Sequence, residues 1–196
     1  MSDLYGRQQR YYHQRADEYD RGAWQPETAE EADEVRRLVD LVAGLPPART
    51  LDVGCGTGFL SQHLHGEVTL LDASEDMLAI AAERVPAAVL VQAEAPPLPF
   101  PDGTFERVFS SHFYDHLMPA ERRRFLAEAT RVAPELVLVQ QRGDTHWEGV
   151  EQRTLEDGSV HEIYKVLFTT ESLLAEVGAG ELLYDGPVFL MASVRA

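Results

Sequence analysis

Apolar and polar positions along this chain follow two periods, and the switches between them outline the elements. Near the start, Tyr12, Ala16 and Tyr19 recur at helical spacing, which predicts an amphipathic helix over 3–21, broken by Gly22 and Pro26. Thr28 and Glu31 form a capping-box signature ahead of Val35, Leu38, Val39 and Val42, and Gly44 with Pro46-Pro47 closes that helix. Short apolar runs then alternate with helical patterns. Strands are expected near 49–53, 67–72, 88–92, 106–111 and 135–140, with helices near 57–65, 75–85 and 119–132. Repeated strand-helix units imply a parallel sheet covered by helices on both faces. Past residue 140 the rhythm changes. The runs 150–155 and 159–166 flank Glu156-Asp157-Gly158, a hairpin signal, and a helix near 170–177 stops at Gly178. Two last strands, near 180–185 and 188–194, are separated by Gly186-Pro187.

The first predicted strand runs directly into Leu51-Asp52-Val53-Gly54-Cys55-Gly56-Thr57-Gly58. Glycines at alternate positions let the backbone take φ > 0 and let a ligand approach without meeting a Cβ. A helix starting at 57 would add free N–H groups and a positive dipole end. A dinucleotide fingerprint requires its last small residue one place later, where this chain has Phe59, so the pattern opposes a nicotinamide cofactor. Eighteen residues after Gly54, the second strand ends in Asp72-Ala73-Ser74. A carboxylate there can accept charge-assisted hydrogen bonds from both hydroxyls of a ribose, or it can serve as an acid at a helix N-terminus.

The run Asp52-Val53-Gly54-Cys55-Gly56-Thr57-Gly58 resembles motif I of the class I S-adenosylmethionine (SAM)-dependent methyltransferases, in the branch similar to the ubiquinone and menaquinone methyltransferases. Asp72, and then Gln92-Ala93-Glu94-Ala95 through Leu98-Pro99-Phe100-Pro101-Asp102-Gly103-Thr104-Phe105, look like the next two signatures in order. The resemblance implies an α/β, single-domain, Rossmann-like sheet of seven strands, order 3-2-1-4-5-7-6, with strand 7 antiparallel and helices on both faces. One domain would span 1–196, with N-terminal helices or a lid over 1–45, a SAM-binding half over 46–140, and a hairpin and final strands over 141–196. It implies SAM as cofactor and S-adenosylhomocysteine (SAH) as product. The cofactor contacts it implies are Tyr11, Tyr19, Asp52, Gly54, Cys55, Gly56, Thr57, Asp72, Ala73, Met77, Glu94, Ala95 and Ser110. In that scheme Met77 packs on adenine, although as plain core it would look the same. Glu94 stands where the family usually has Asp and would accept from the adenine amino group. Tyr11, Tyr12 and Tyr19 belong to a segment that resembles the family's N-terminal lid, and a tyrosine stripe is also ordinary core packing.

Ser110-Ser111-His112-Phe113-Tyr114-Asp115-His116-Leu117 follows the fourth strand, which in this fold borders the acceptor pocket. His112 is the first candidate for a general base and His116 the second, since an imidazole titrates near neutrality. Their spacing would suit a metal on a helix, but methyl transfer needs none and no third ligand is evident, so no metal is expected. The departure from Asn/Asp-Pro-Pro-Tyr/Phe at this point speaks against methylation of base amines or glutamine amides. His146 and Trp147, after the fifth strand, are expected to face the same cavity, with the hairpin roofing it.

Composition narrows the partners. The chain has 196 residues, 44% hydrophobic and 26% charged, as expected of one globular domain. Its net charge of −16 and the lack of a basic stripe oppose a nucleic-acid partner. No run is apolar enough for a membrane span, no signal peptide is visible, and Cys55 is the sole cysteine, which agrees with a cytoplasmic home. The expected activity is methyl transfer to a small molecule by a monomer or homodimer. The alternatives are a non-catalytic SAM-binding regulator, or an aminopropyl-type transferase, whose acidic diamine motif is not visible.

Overall fold

A computed structural model describes residues 3–26, 28–178 and 180–195. Its elements are, in order, α1 (Asp3–Gln14), α2 (Tyr19–Ala23), α3 (Ala29–Ala43), β1 (Thr50–Val53), β2 (Val68–Asp72), α4 (Glu75–Arg84), β3 (Val89–Gln92), β4 (Arg107–Ser111), α5 (Pro119–Val132), β5 (Glu135–Gln141), β6 (Trp147–Thr154), β7 (Val160–Leu167), α6 (Thr170–Val177), β8 (Gly180–Asp185) and β9 (Phe189–Arg195). Seven strands form one sheet in the order β3-β2-β1-β4-β5-β9-β8. The first five are parallel; β9 runs antiparallel to β5 and to β8. With β8 and β9 as the sixth and seventh strands, this is the expected order.

The central strands of the sheet are buried on both faces because they are apolar at consecutive positions. On β5, Leu136 and Leu138 join the cluster containing Phe125, Ala129 and Leu173 of α5 and α6, whereas Val137 and Val139 join Leu38, Val42 and Leu78 of α3 and α4. Helix ends follow local chemistry. The Thr28 hydroxyl accepts from Glu31 N–H at 3.1 Å while Glu31 accepts from Thr28 N–H at 3.2 Å, closing the predicted capping box of α3. Ser74 caps α4 by accepting from Met77 N–H at 3.3 Å. Pro119 occupies the first turn of α5.

Two expected helices differ. The stretch 57–65 forms only a 3₁₀ turn, Ser61–His63. Gly54, Gly56 and Gly58 all have positive φ, at 69°, 53° and 74°, so the chain is still left-handed where the helix should begin. Ser61 then donates to the Asp52 carboxylate at 2.5 Å, which pulls this stretch under β1, with Leu60 and Leu64 buried as its anchors. The single helix over 3–21 is broken after Gln14 into α1, a 3₁₀ turn at Ala16–Glu18, and α2. The Arg15 guanidinium turns back to the Tyr11 hydroxyl at 2.6 Å and lies over the Tyr19 ring, so the break carries α1 and α2 to different partners. α1 packs on β7, and the α2 region packs on the glycine loop.

The predicted hairpin is present as β6 and β7, a two-stranded sheet of its own. A two-stranded ribbon is marginal by itself. Here β7 is buried from Ile163 to Val166 between α1 and the 3₁₀ turn Tyr114–His116 after β4. Among the described residues, no helix is long and apolar enough to cross a membrane.

Candidate active site

A cavity of about 730 Å³ opens at the carboxyl ends of β1, β2, β3 and β4. Strands that end together leave their last residues and the following loops around one crevice, the usual ligand position in open α/β sheets. One end is built from the glycine loop and the ends of β2 and β3. Gly54, Gly56, Leu71, Asp72, Ala73, Met77, Glu94 and Ala95 line it. The other end is built from α1 and the turn after β4, and includes Gln9, Tyr12, His112, Phe113 and His116. Tyr19 lies between them, against Gly56.

The glycine loop is closed on itself and on β2. Gly54 and Cys55 N–H both donate to the Leu71 carbonyl, Gly58 N–H to the Cys55 carbonyl, and Gly56 N–H to the Asp72 carboxylate at 2.9 Å. These donors are already used, and no helix starts here, so the loop offers no nest for a pyrophosphate. A side chain at Gly54 would also place its Cβ 2.6 Å from Phe113. Phe113 therefore seats directly on the loop and joins the two ends of the cavity. Asp72 holds the other anchor. Its second oxygen accepts from Ser74 N–H at 2.9 Å. Each oxygen keeps a further lone-pair direction for a ligand hydroxyl. Burial raises the Asp72 pKa above the usual carboxylate range, and the backbone N–H bonds from Ser74, Gly56 and Ala73 pull it back toward ionisation.

Not every residue expected at the cofactor reaches the cavity wall. Asp52 is buried beneath the loop, with one oxygen accepting from Ser61 and the other without a hydrogen-bond partner; burial pushes its pKa up to about 7. It lines a separate void of about 20 Å³ with Cys55, Thr57 and Ser111. The Ser110 hydroxyl donates to the Val53 carbonyl at 2.9 Å and ties β4 to β1. Thr57 donates to Asp20 at 2.6 Å and accepts from Arg84 at 2.9 Å, while Arg84 also pairs with Asp20 at 2.6 Å. That triangle holds the start of α2 to the glycine loop and to α4. Phe59, the residue that breaks the dinucleotide pattern, stacks on Trp24 at 4.7 Å and secures the same segment. Tyr11 faces away, packing with Leu155 and Ile163 of the hairpin region.

Helix α1 covers the end of the cavity that holds Tyr12, His112 and His116, and the hairpin backs it, so α1 is the roof and β6–β7 are its support. His146 and Trp147 do not reach the cavity: His146 contacts the Ser172 hydroxyl at 3.2 Å, and Trp147 is an exposed hairpin residue. The two candidate histidines differ sharply. His112 has φ of 52°, the one non-glycine residue with positive φ among those described, and its ring lies near Trp24 and Phe189. Strain of this kind, about 1–3 kcal/mol, is concentrated at functional positions. His116 has both ring nitrogens engaged, with Nδ1 2.9 Å from the Tyr164 carbonyl and Nε2 2.7 Å from the Tyr12 hydroxyl. Burial holds its pKa down to about 4, against the pull of Asp115. Asp115 is fully buried between the histidines and pairs with Lys165 of β7 at 2.9 Å. Burial opposes its charge, but Lys165 and the histidines hold it well below the usual carboxylate range. No cluster of His, Cys, Asp and Glu among the described residues is arranged to hold a metal ion. Tyr12, expected in the lid segment, lines the cavity, whereas Gln8 and Lys165 were not singled out by any motif. Lys165 carried a signal, as the sole lysine of the chain.

Residues 51–135 match the family model described as a methyltransferase domain. The demethylmenaquinone methyltransferase of Thermotoga maritima is 33% identical over 102 residues, covering 50% of this chain and 44% of the relative. The mitochondrial arginine-hydroxylase NDUFAF5 of Rattus norvegicus is 37% identical over 79 residues, covering 38% of this chain and 22% of the relative. The matched segment thus spans less than half of either relative. A solved structure titled "DhpI-SAM-HEP complex" superposes with a TM-score of 0.84 at 26% identity, over 100% of both chains. The strand order, the Asp52-to-Gly58 loop tied to Asp72, the methyltransferase domain matched over 51–135 and the full-length likeness to that solved complex agree, and together they support a class I SAM-dependent methyltransferase family.

Proposed function

We propose that the protein binds SAM and transfers its methyl group to a small-molecule acceptor, releasing SAH. The observation that carries this reading is Asp72, fixed by Gly56 and Ser74 N–H on the wall of the cavity whose far end holds Tyr12, His112 and His116. Asp72 would hold the ribose, Met77 and Ala95 would flank the adenine, and Glu94 would meet its amino group. The remaining residues proposed at the cofactor act at one remove. Thr57 and Tyr19 would keep the N-terminal segment over it, and Asp52, Cys55 and Ser110 would shape the loop from below. Tyr11 would brace α1 from behind.

The bound sulfonium supplies an already activated methyl group, so the protein's part is to align the acceptor and exclude water. α1 does both by roofing the cavity. The net charge of −16 favours a small acceptor over a nucleic acid. Cys55, partly buried and the sole cysteine of the chain, suits a reducing, cytoplasmic setting. We take 1–196 as one working domain, because the N-terminal segment completes the cavity begun by 46–140 and the hairpin packs behind that segment.

The test is incubation of the protein with methyl-labelled SAM and pools of small metabolites, followed by mass spectrometry. The reading expects SAH together with one acceptor labelled by a single methyl group. SAH binding without a labelled product would favour other chemistry on the same cofactor half, a possibility kept open by the hydroxylase relative.

A further inference from the structure

We propose that Tyr12, acting with His116, takes up the acceptor's proton: the phenol faces the acceptor, and the imidazole receives the proton through it. This rests on the methyl-transfer reading and deepens it. Nδ1 of His116 faces the Tyr164 carbonyl, which can only accept, so Nδ1 carries the ring proton. Nε2 is then the accepting nitrogen, and the Tyr12 hydroxyl donates to it at 2.7 Å. A ring bonded on both sides has no nitrogen left for an acceptor. Tyr12 lines the cavity and lies 6.3 Å from Tyr19, ring centre to ring centre, at the junction of the two ends.

The surrounding contacts lock this arrangement. Gln8 donates to the His116 carbonyl at 3.1 Å and accepts from Tyr164 N–H at 3.0 Å, so one side chain of α1 joins the turn and β7. Tyr12 is on the same helix, one turn further. The roof and the relay are therefore assembled together. Burial raises the Tyr12 pKa well above that of a free phenol, which keeps it protonated and suits a conduit, not a phenolate base.

The step balances. As a lone pair on the acceptor atom forms the bond to the methyl carbon, the carbon–sulfur bond breaks and its electron pair stays on sulfur. The acceptor's proton passes to Tyr12 Oη, and the proton of Tyr12 passes to His116 Nε2. The positive charge lost at sulfur reappears on His116, 3.7 Å from the Asp115 carboxylate. The groups facing His116 are Asp115, Lys165, His112 and Tyr12. Asp115 favours the transient imidazolium, and its pairing with Lys165 keeps that help from making it permanent.

The test uses full-length protein and Tyr12→Phe, with His116→Gln as a second variant. Nitrogen-15 histidine spectra of the wild type should show His116 as the neutral Nδ1–H form at neutral pH, and Tyr12→Phe should move its Nε2 signal. SAH affinity of Tyr12→Phe should stay within about threefold, because the relay acts in the transition state. With SAM saturating, phenols and thiols serve as proton-bearing probes and iodide as a nucleophile with no proton to lose. Tyr12→Phe and His116→Gln should each lower transfer to the proton-bearing probes by roughly a hundredfold and leave transfer to iodide near the wild-type rate. An unmoved Nε2 signal, or equal losses with iodide, would reduce Tyr12 to a packing residue. Failure of the wild type to bind SAH would instead strike the proposed function.

Discussion

The two ends of the cavity are built by different rules. The glycine-loop end comes from three short stretches, 52–58, 72–77 and 92–95, each at the end of a parallel strand and each held by backbone hydrogen bonds. The Tyr12 end is assembled from α1, the turn after β4, and β7, whose residues are up to 156 positions apart where the Tyr164 N–H donates to Gln8. The first end needs only the sheet to form. The second also needs the N-terminal segment to dock, so it depends on tertiary contacts that each contribute little alone.

The largest break in this contrast should come at Gly54. Gly54→Ala forces a Cβ into Phe113 at a φ of 69°. The combined strain and overpacking should cost about 2–5 kcal/mol of stability and abolish measurable SAH binding. Thermal unfolding and calorimetry check it; a variant as stable as wild type would mean that Phe113 gives way freely. Asp72→Asn comes next. It keeps the shape but removes the charge, and should weaken SAH by about 1.5–3 kcal/mol. The variant should leave docking of α1, read by amide exchange over 3–24, near wild type.

The pH dependence separates two buried groups of opposite sign. The raised pKa of Asp52, about 7, means the folded state holds a proton that the unfolded state has lost. Stability therefore falls as pH rises from about 4 to about 7, by at most about 1.4 kcal/mol for each pH unit crossed. His116, lowered to about 4, makes stability rise from pH 4 to about 6.5. The two partly offset in the wild type. Asp52→Asn should gain stability relative to wild type as pH rises from 5 to 8, and His116→Gln should gain as pH falls below 6. Unfolding midpoints across pH decide both; parallel curves for all three proteins would contradict the burial argument.

The smallest effect expected is at the latch. Arg84→Gln removes the partly exposed pairing with Asp20 and the bonds to Thr57. It should cost less than about 1 kcal/mol of global stability, yet speed amide exchange over 16–24. Unchanged exchange would show that Trp24 on Phe59 alone holds the segment.

The same contrast explains what the sequence could show. The sheet order, α5, α6 and the hairpin were legible because each rests on local periodicity, capping residues or a turn signature, as with Pro119 and Asp157-Gly158. Asp72 was legible through its spacing from Gly54. The helix expected at 57–65 failed because Leu60 and Leu64 have helical spacing but serve as anchors for a loop pulled in by Asp52 and Ser61. The break after Gln14 was hidden for a similar reason, since only the separate docking sites of α1 and α2 reveal it. His146 and Trp147 were placed in the cavity by proximity in sequence to β5, whereas Trp147 pairs with Leu167 at the open end of the hairpin and His146 meets Ser172 of α6. Tyr12 and His116 stood in plain view as a tyrosine and a histidine. Their pairing across 104 residues could not be read without the fold.

The glycine loop and Asp72 together suit SAM and oppose a dinucleotide. The decisive measurement is calorimetric titration of the purified protein with SAH and, separately, with NAD. One SAH should bind per chain, more weakly in Asp72→Asn, and NAD should give no heat. Binding of NAD, or SAH binding unaffected by Asp72→Asn, would contradict the assignment.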